Sequence, residues 1–512
     1  MRQADPDATQ PEVAAFLEDP RTHGGAAVQR IDTHAAMVFL AGERAYKLKR
    51  AVRYPYLDFS TAEKRRAACE AELALNRRTA PSLYLGVTPV VRRTDGTLGL
   101  GGAGHAVDWL VVMRRFAPDR LFDRRAEHRL LTAGTMRDLA DAIAAFHAEA
   151  EPRRDGGGVA AMRAVVDENL AELRGRPDLF APERVQRLAE RSAEALDRLA
   201  PLIEERRRAG FVRHCHGDLH LRNIVLLDDT PTLFDGIEFD ESFAVIDVGY
   251  DLAFLLMDLE QRGLRALGNA VLNRYLEATE DYGGLALLPL FLSARAAVRA
   301  KITATMAAME GNRGAAEGLE RDAAAYLDHA LRALEPPPAR LLAIGGLSGT
   351  GKSRLARAVA PGLGAAPGAV VLRSDVLRKR LSGVGEMERL PPEAYGPGTS
   401  ERVYAELAGR ARTVLAAGHA AVADAVYARP EERAAIEAVA CDAGVRFDGV
   451  WLDAPLEQRV ARVSDRRGDA SDATAEVAKR QESYELGAMS WARVDSGRDA
   501  GETLAATLER LA

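Results

Sequence analysis

Eight consecutive residues in the second half of the chain have the composition and spacing of a phosphate-binding loop. They read Gly346-Leu347-Ser348-Gly349-Thr350-Gly351-Lys352-Ser353, which satisfies G-x-x-x-x-G-K-S, and the apolar run 340–344 precedes them directly. Such glycines let backbone amides converge on phosphate oxygens, the lysine adds positive charge beside the β- and γ-phosphates, and the hydroxyl can bind magnesium. We therefore expect ATP and Mg²⁺ here, with contacts from Gly346, Ser348, Gly349, Thr350, Gly351, Lys352 and Ser353.

Two carboxylates follow later apolar runs that have the character of strands. Asp375 comes shortly after the run 369–372, and Asp424 comes directly after 420–423. Open α/β sheets bind ligands at the carboxyl ends of their strands. We expect Asp375 to accept the proton of a substrate hydroxyl and Asp424 to hold magnesium through water. A role as helix cap or turn residue is the alternative for each.

Four arginines follow the apolar run 450–453, namely Arg459, Arg462, Arg466 and Arg467. Arginines at this place can close over a transferring phosphoryl group. We expect Arg462 and Arg466 to contact the nucleotide. A solvated basic face of a helix is an equally good interpretation of each arginine taken singly.

A second set of chemically capable residues lies in the first half of the chain. The segment His216-Gly217-Asp218-Leu219-His220-Leu221-Arg222-Asn223 is followed by Asp235. Phosphotransfer in a kinase fold uses an aspartate beside the acceptor hydroxyl, an asparagine five residues later on the metal, and a later aspartate on the metal that bridges the phosphates. Asp218, Asn223 and Asp235 fit these three roles in that order.

The same segment allows two other interpretations. His214, Cys215, His216 and His220 are all potential zinc ligands within a few residues, although no second ligand pair follows at metal-site spacing. A purely structural loop is the other alternative. Neither explains why an aspartate and an asparagine occur at the kinase spacing.

A lysine and a glutamate that complete a kinase site lie upstream. The short strand-like segment 45–49 carries Lys47 and Lys49, and a helical segment after it carries Glu70 and Glu72. A lysine on the ATP phosphates, oriented by a helix glutamate, is what kinase phosphotransfer needs. We favour Lys47 with Glu72, but Lys49 and Glu70 stay open, because strand and helix periodicity cannot separate them. A surface ion pair is the bland alternative.

The elements around these residues change character along the chain. Strand-like segments at 37–40, 45–48, 87–91 and 109–113 precede mostly helical periodicity from Thr132 onward. The prolines of 336–338 interrupt both helix and sheet, and a strand, a glycine-rich turn and a helix follow them. We expect an N-terminal segment 1–24, an α+β domain 25–335, a linker 336–339 and an α/β domain 340–512 with a mainly parallel sheet flanked by helices.

Length and composition exclude several classes of protein. A chain of 512 residues exceeds one hydrophobic core, which usually stops growing at about 250 to 300 residues. A net charge of -6 gives no reason to expect nucleic acid as a partner. No apolar run is long enough to span a bilayer, the first ten residues lack a secretion signal, and the three cysteines have no paired spacing. We therefore expect a cytoplasmic protein without a membrane partner.

The second domain resembles the small P-loop kinases, a group that includes gluconate kinase-like enzymes and zeta-toxin-like domains. The segment Arg373-Ser374-Asp375-Val376-Leu377-Arg378-Lys379 and the pair Asp424-Ala425 are closest to the zeta-like branch. The resemblance implies phosphorylation of a small molecule that bears a hydroxyl.

The first domain resembles the aminoglycoside phosphotransferase family, which has the bilobal protein-kinase fold, and H-G-D-x-x-x-x-N carries the resemblance. The resemblance implies that 109–113 leads into a hinge that holds adenine and that Asp251 braces the catalytic loop. The first lobe lacks a G-x-G-x-x-G loop, and Phe234-Asp235-Gly236 stands where protein kinases have D-F-G. The whole chain is similar to bacterial proteins described as bifunctional aminoglycoside phosphotransferase and ATP-binding proteins.

These observations together predict a bifunctional kinase. We expect each domain to transfer the γ-phosphoryl group of ATP to a hydroxyl of a sugar, an aminoglycoside or an amino alcohol. One alternative is a regulatory protein in which one domain binds nucleotide without catalysis. Another is a toxin-like P-loop kinase that the N-terminal domain controls.

Overall fold

The computed structural model describes residues 6–33, 35–54, 57–465 and 469–511. The chain forms two compact units, one made of residues 1–165 and 200–255, the other of residues 166–199 and 256–512. The second unit therefore includes helices that precede the Pro-rich segment 336–338. The domain boundaries expected from the sequence do not coincide with these units and remain a prediction.

The first unit is built on an antiparallel sheet, and short two-stranded ladders follow it. Twelve described strands precede residue 250, and they are β1 (Val28–Asp32), β2 (Ala36–Ala41), β3 (Arg44–Lys49), β4 (Arg53–Tyr54), β5 (Leu57–Asp58), β6 (Tyr84–Arg92), β7 (Leu98–Leu100), β8 (His105–Arg114), β9 (Val212–His214), β10 (Ile224–Leu227), β11 (Thr230–Leu233) and β12 (Val245–Asp247). The main sheet has the order β1-β2-β3-β8-β6-β7, while β10 pairs with β11, β9 with β12 and β4 with β5. The four strand-like segments expected from the sequence lie within β2, β3, β6 and β8.

Helices dominate the chain from residue 115 to the linker. The helices of this part and of the N-terminus are α1 (Pro6–Glu18), α2 (Ala62–Asn76), α3 (Phe122–Glu127), α4 (Ala133–Glu149), α5 (Gly158–Arg174), α6 (Pro182–Ala209), α7 (Glu241–Ala244), α8 (Val248–Gln261), α9 (Arg265–Thr279), α10 (Leu288–Met309) and α11 (Arg313–Leu334). Side-chain caps begin two of them, because Thr61 accepts a hydrogen bond from Lys64 N and Thr132 from Thr135 N. A sheet followed by helices is the expected α+β kinase-like arrangement.

The sheet of the first unit has a core on each side of its central strands. One core joins the sheet to α1, since Val13 and Leu17 pack with Phe39 and Leu48. The other contains buried residues of α2, β6, β8 and β10, with Cys69 among them. Helix α2 therefore lies against the sheet, and its inward face is directed at β3 and β8.

The second unit contains a five-stranded parallel sheet with the order β14-β15-β13-β16-β17. Its strands are β13 (Arg340–Gly346), β14 (Val370–Arg373), β15 (Ala421–Asp424), β16 (Arg446–Asp453) and β17 (Ala492–Asp495), and the helices that follow the linker are α12 (Lys352–Val359), α13 (Ser374–Leu381), α14 (Pro397–Ala416), α15 (Pro430–Asp442), α16 (Leu456–Ser464), α17 (Ala475–Arg480) and α18 (Ala500–Leu511). Residues 341–344 of β13 are fully buried, as a central strand covered on both faces requires. The expected α/β domain with a mainly parallel sheet is confirmed.

No helix among the described residues is long and apolar enough to cross a membrane.

Candidate nucleotide and phosphotransfer sites

The loop between β9 and β10 brings Asp218 and Asn223 into direct contact. Asn223 Nδ2 donates hydrogen bonds to Asp218 Oδ2 at 2.8 Å and to Asp218 O at 2.9 Å. A single 3₁₀ turn, Leu221–Asn223, closes the loop and sets the two side chains together. The amide nitrogen faces Asp218, which leaves the carbonyl oxygen Oδ1 of Asn223 as the atom that can face a cation.

Asp235 follows the β10–β11 hairpin in a strained backbone conformation. Its φ is 60°, a left-handed value that few residues other than glycine adopt. Two hydrogen bonds hold this turn, because Tyr84 Oη lies 3.1 Å from Asp235 N and Asn76 Oδ1 accepts from Gly236 N at 2.9 Å. The side chain of Asp235 is 43% exposed, so its carboxylate is accessible to a ligand.

Lys47 lies between the carboxylates of Glu72 and Asp235. Its Nζ is 2.8 Å from Glu72 Oε1 and 2.6 Å from Asp235 Oδ1. Burial disfavours the charged ammonium, but the charges of Asp235 and Glu72 outweigh burial and raise the pKa of Lys47 well above its usual value. Lys47 is therefore a fixed positive charge beside two carboxylates of the candidate site.

Glu72 contacts both lysines that the sequence left as alternatives. Its second oxygen, Oε2, lies 2.7 Å from Lys49 Nζ, and the Glu72 side chain is fully buried. Lys49 also pairs with Glu238. Glu70, in contrast, is half-exposed and pairs with Arg66 at 2.9 Å on the surface of α2. The structure thus brings Lys47, Lys49 and Glu72 together and leaves Glu70 outside the cluster.

Asp251, at the start of α8, holds the backbone of the catalytic loop. Its two oxygens accept hydrogen bonds from His216 N at 3.0 Å and Gly217 N at 2.9 Å, and His147 Nε2 lies 3.1 Å from Oδ2. Asp251 is fully buried. Gly217 has a φ of 82°, and a Cβ there would lie 2.9 Å from Phe243 O, so the loop needs glycine at this position.

The zinc alternative finds little geometric support. Among the described residues, the one group of three or more possible ligands with mutually close donor atoms is His147, Cys215 and Asp251. It contains only one of the four residues considered from the sequence, and both Asp251 oxygens already accept hydrogen bonds from backbone amides. His216 Nε2 lies 2.9 Å from Phe234 O instead.

The phosphate loop of the second unit follows β13 and opens α12. Gly346, Gly349 and Gly351 have φ values of 144°, 87° and 91°, which side chains rarely allow. A Cβ on Gly349 would lie only 2.5 Å from Arg459 O, so this glycine is required by close approach as well. Lys352 Nζ donates to Leu347 O at 3.1 Å, which folds the lysine back over the loop.

Ser353 and Asp424 meet where β13 and β15 end. Ser353 Oγ donates to Asp424 Oδ2 at 2.5 Å, and Asp424 is buried. Asp424 is itself the last residue of β15, and it pairs in register with Ile344 of β13. A hydroxyl beside a buried carboxylate at a helix N-terminus is a suitable oxygen set for magnesium.

Arg373, which the sequence analysis did not select, joins this group. Its guanidinium donates to Ser353 Oγ at 3.2 Å and to Asp469 Oδ1 at 2.9 Å, and its Nε lies 3.5 Å from Asp424 Oδ2. Although burial opposes the charge, Asp424 and Asp469 raise the pKa of Arg373. Only its place as the last residue of β14, in register with Asp424, could have indicated it.

Gln481 is a second residue that the sequence analysis missed. Its Oε1 accepts a hydrogen bond from the loop amide Ser348 N at 2.7 Å. The side chain comes from a short turn more than 120 residues later, so no local motif points to it. Gln481 therefore supports one of the amides that the sequence analysis assigns to phosphate.

The remaining predicted residues of this site differ in their surroundings. Asp375, in the first turn of α13, and Arg462, on α16, both line a cleft of about 2620 Å³ that also contains the phosphate loop. Arg459 is 1% exposed and contacts Ser348 O and Glu482, so it supports the loop from below. Arg466 and Arg467 lie outside the described residues.

Comparison with known families places the two motifs in separate models. Residues 32–288, just over half of the chain, match the phosphotransferase enzyme family, and residues 341–485 match an AAA domain. Uncharacterised proteins of Mycobacterium tuberculosis and Mycobacterium bovis are 34% identical over 455 residues, which is 87% of this chain and 88% of theirs.

Two solved structures illustrate the similarity of each part. A choline/ethanolamine kinase family protein from Mesorhizobium loti is 16% identical and covers 64% of this chain and 98% of its own, with a TM-score of 0.37. The APS kinase of Mycobacterium tuberculosis in complex with AMPPNP and APS is 24% identical and covers 34% of this chain and 98% of its own, with a TM-score of 0.25. The two family matches confirm the predicted kinase with a phosphotransferase domain before a P-loop domain, and the chain belongs to the phosphotransferase enzyme family.

Proposed function

We propose that the protein has two phosphotransfer sites, each of which transfers the γ-phosphoryl group of ATP to a hydroxyl of a small molecule. The acceptor class is a sugar, an aminoglycoside or an amino alcohol. In each transfer the acceptor oxygen forms a bond to the γ-phosphorus, the bond to the β–γ bridging oxygen breaks, and ADP leaves. A cytoplasmic location, where ATP is available, belongs to the same proposal.

In the first site, Asp218 receives the proton of the acceptor hydroxyl. The hydrogen bond from Asn223 orients its carboxylate. Lys47 neutralises charge on the phosphates, and Glu72 orients it. The accessible carboxylate of Asp235 and the Oδ1 of Asn223 fit Mg²⁺, which prefers oxygen ligands. The metal, when bound, bridges the phosphates and offsets their charge.

In the second site, the loop amides and Lys352 hold the phosphates of ATP, and Ser353 with Asp424 fits Mg²⁺. Asp375 lines the same cleft at the start of α13, where it can receive the proton of an acceptor hydroxyl. Arg462 lines the cleft as well and can offset charge on the transferring group.

The observation that carries the proposal is the first-site cluster, in which Lys47 joins Glu72 to Asp235 while Asn223 joins Asp218. Residues from three separate parts of the chain, 47–72, 218–223 and 235, meet in the arrangement that kinase phosphotransfer needs. A structural loop or a surface ion pair gives no reason for this convergence.

ADP release by the full-length protein tests the proposal, measured against a panel of sugars, aminoglycosides and amino alcohols. We expect Asp218→Asn and Asp375→Asn each to remove release with a different group of acceptors, because an amide cannot accept the proton. The double variant should release no ADP above background. Asp178→Asn, at an exposed carboxylate paired with Arg176, is the matched control and should behave like the unchanged protein.

Three results would count against two active sites. If Asp375→Asn has no effect with any acceptor although the second site still binds ATP, that site binds nucleotide without this chemistry. If Asp218→Asn has no effect in the same test, the first site is the regulatory one. Release by the double variant equal to that of the unchanged protein would remove both base assignments.

A further inference from the structure

Glu72 has two lysine partners, whereas a kinase lysine–glutamate pair needs one. Its Oε1 lies 2.8 Å from Lys47 Nζ and its Oε2 lies 2.7 Å from Lys49 Nζ. Because strand residues two apart point to the same face, both lysines of β3 reach the same carboxylate. The second lysine therefore needs an explanation of its own.

The two lysines have different surroundings. The Lys47 side chain is 16% exposed and reaches the accessible Asp235, whereas that of Lys49 is 2% exposed. The Lys49 ammonium contacts Glu72 and Glu238 and lies 4.9 Å from the centre of the Phe59 ring. Lys47 is thus placed to meet a ligand, and Lys49 is enclosed by protein.

The charges of the cluster show what Lys49 contributes. Glu72 and Glu238 are both buried, and a buried carboxylate is stable in its charged form only when a cation is beside it. If Lys47 moves from Asp235 to the phosphates of a nucleotide, Lys49 still holds the second oxygen of Glu72. Burial raises the pKa of Glu238, and the positive charge of Lys49 opposes that rise.

We propose that Lys49, held by Glu238, is a positioning residue that fixes Glu72 so that Glu72 presents Lys47 to the phosphates of ATP. This inference rests on the proposed function of the first site. Lys49 itself does not touch the nucleotide in this proposal; it acts through Glu72.

The test uses the full-length protein in a Lys352→Ala background, so that the phosphate loop of the second unit contributes little to nucleotide binding. Four changes are compared in it: Lys47→Met, Lys49→Met, Lys49→Met with Glu238→Gln, and Lys64→Met. The third removes the positive and the negative charge together, which keeps the cluster foldable if Lys49→Met alone unfolds. Lys64, a half-exposed lysine paired with Asp58, is the matched control.

Two ligands are titrated, Mg-ATP and adenosine, and the urea midpoint is recorded for each variant. We expect Lys49→Met with Glu238→Gln to keep its urea midpoint and its affinity for adenosine but to weaken Mg-ATP binding about tenfold, because only the phosphates depend on Lys47. A residue that merely stabilises the fold would change the affinity for both ligands or for neither.

The outcomes separate this inference from the proposed function. If Lys47→Met weakens Mg-ATP binding while the charge-balanced double variant binds Mg-ATP like the Lys64→Met control, Lys49 is structural and the inference fails alone. If Lys47→Met also binds Mg-ATP like the control, the first site does not bind the phosphates, and the proposed function fails with it.

Discussion

Lys47 and Asp235 form an ion pair, with Nζ 2.6 Å from Oδ1, although 188 residues of sequence separate them. The group that would meet the phosphates and the group that would meet their metal are therefore paired with each other. Both must exchange this contact for Mg-ATP, so the nucleotide replaces one ion pair by a larger set of opposite charges.

Asp235→Ala and Asp218→Ala are expected to impair the first site in different ways. Loss of Asp235 removes a magnesium ligand, so Mg-ATP affinity should fall about tenfold or more. Loss of Asp218 removes the proton acceptor, so turnover should fall about 100-fold or more while Mg-ATP affinity changes little. Titration of Mg-ATP and a turnover assay measure the two effects in the Lys352→Ala background.

The same variants test the competing metal site. If Asp218→Ala and Asp235→Ala both bind Mg-ATP normally, the kinase interpretation of this loop is wrong. Zinc in the purified protein that disappears on changing His216 and His220 would favour the metal-site alternative.

Lys352→Ala is expected to remove Mg-ATP binding by the second site, because the change deletes the charge that faces the β- and γ-phosphates. Binding stoichiometry in the full-length protein should fall from two nucleotides to one, as measured by calorimetry. Arg493→Ala, at an exposed cation paired with Asp453, is a suitable control and should keep two sites. Two equivalents of tightly bound nucleotide in Lys352→Ala would overturn the phosphate-loop assignment.

Asp251→Ala is expected to destabilise the first unit by about 3 kcal/mol, because two buried backbone amides and His147 lose their acceptor. The measurement is urea unfolding at neutral pH. Asp251→Asn keeps one side-chain oxygen and should lose less. A urea midpoint for Asp251→Ala equal to that of the exposed Asp178→Ala would show that Asp251 does not brace the loop.

His329 is expected to make the second unit less stable as the solution becomes mildly acidic. Burial, helped by the charge of Arg332, lowers its pKa to about 4 from an ordinary value of about 6.5. The unfolded chain then takes up a proton first, so stability is constant above about pH 6.5 and falls between about pH 6.5 and 4. The loss from this residue approaches about 3 kcal/mol at the lower limit.

Urea midpoints measured between pH 7 and pH 4.5 check this expectation. His329→Gln should reduce the slope of the midpoint against pH, whereas His128→Gln, at an exposed histidine, should leave it unchanged. Equal slopes for His329→Gln and the unchanged protein would contradict the prediction.

The two motifs were predictable from sequence because their residues are local. In G-x-x-x-x-G-K-S the glycine conformations, the lysine and the hydroxyl all belong to one turn and the helix that follows it, so spacing alone describes the geometry. The same holds for Asp218 and Asn223, which a single loop brings to 2.8 Å. The antiparallel sheet before the helices and the parallel sheet after the linker were likewise visible in the hydrophobic pattern.

The partner of Lys47 was only partly predictable. Periodicity places Lys47 and Lys49 on one face of β3, so it cannot rank them. The structure adds that Glu72 faces the sheet and holds both, while Glu70 is turned to Arg66 at the surface. That distinction depends on how α2 rotates against the sheet, which its packing decides.

By itself, therefore, the sequence determined the kinds of chemistry, the order of the two motifs and the class of each fold, because short-range spacing and periodicity encode them. Only the tertiary structure decided which distant side chains complete the sites: Asp235 beside Lys47, Glu238 beside Lys49, and Arg373 and Gln481 around the phosphate loop. These residues come from different strands and turns, and no local pattern records a contact that arises when separate elements pack and bring their charges within hydrogen-bond distance.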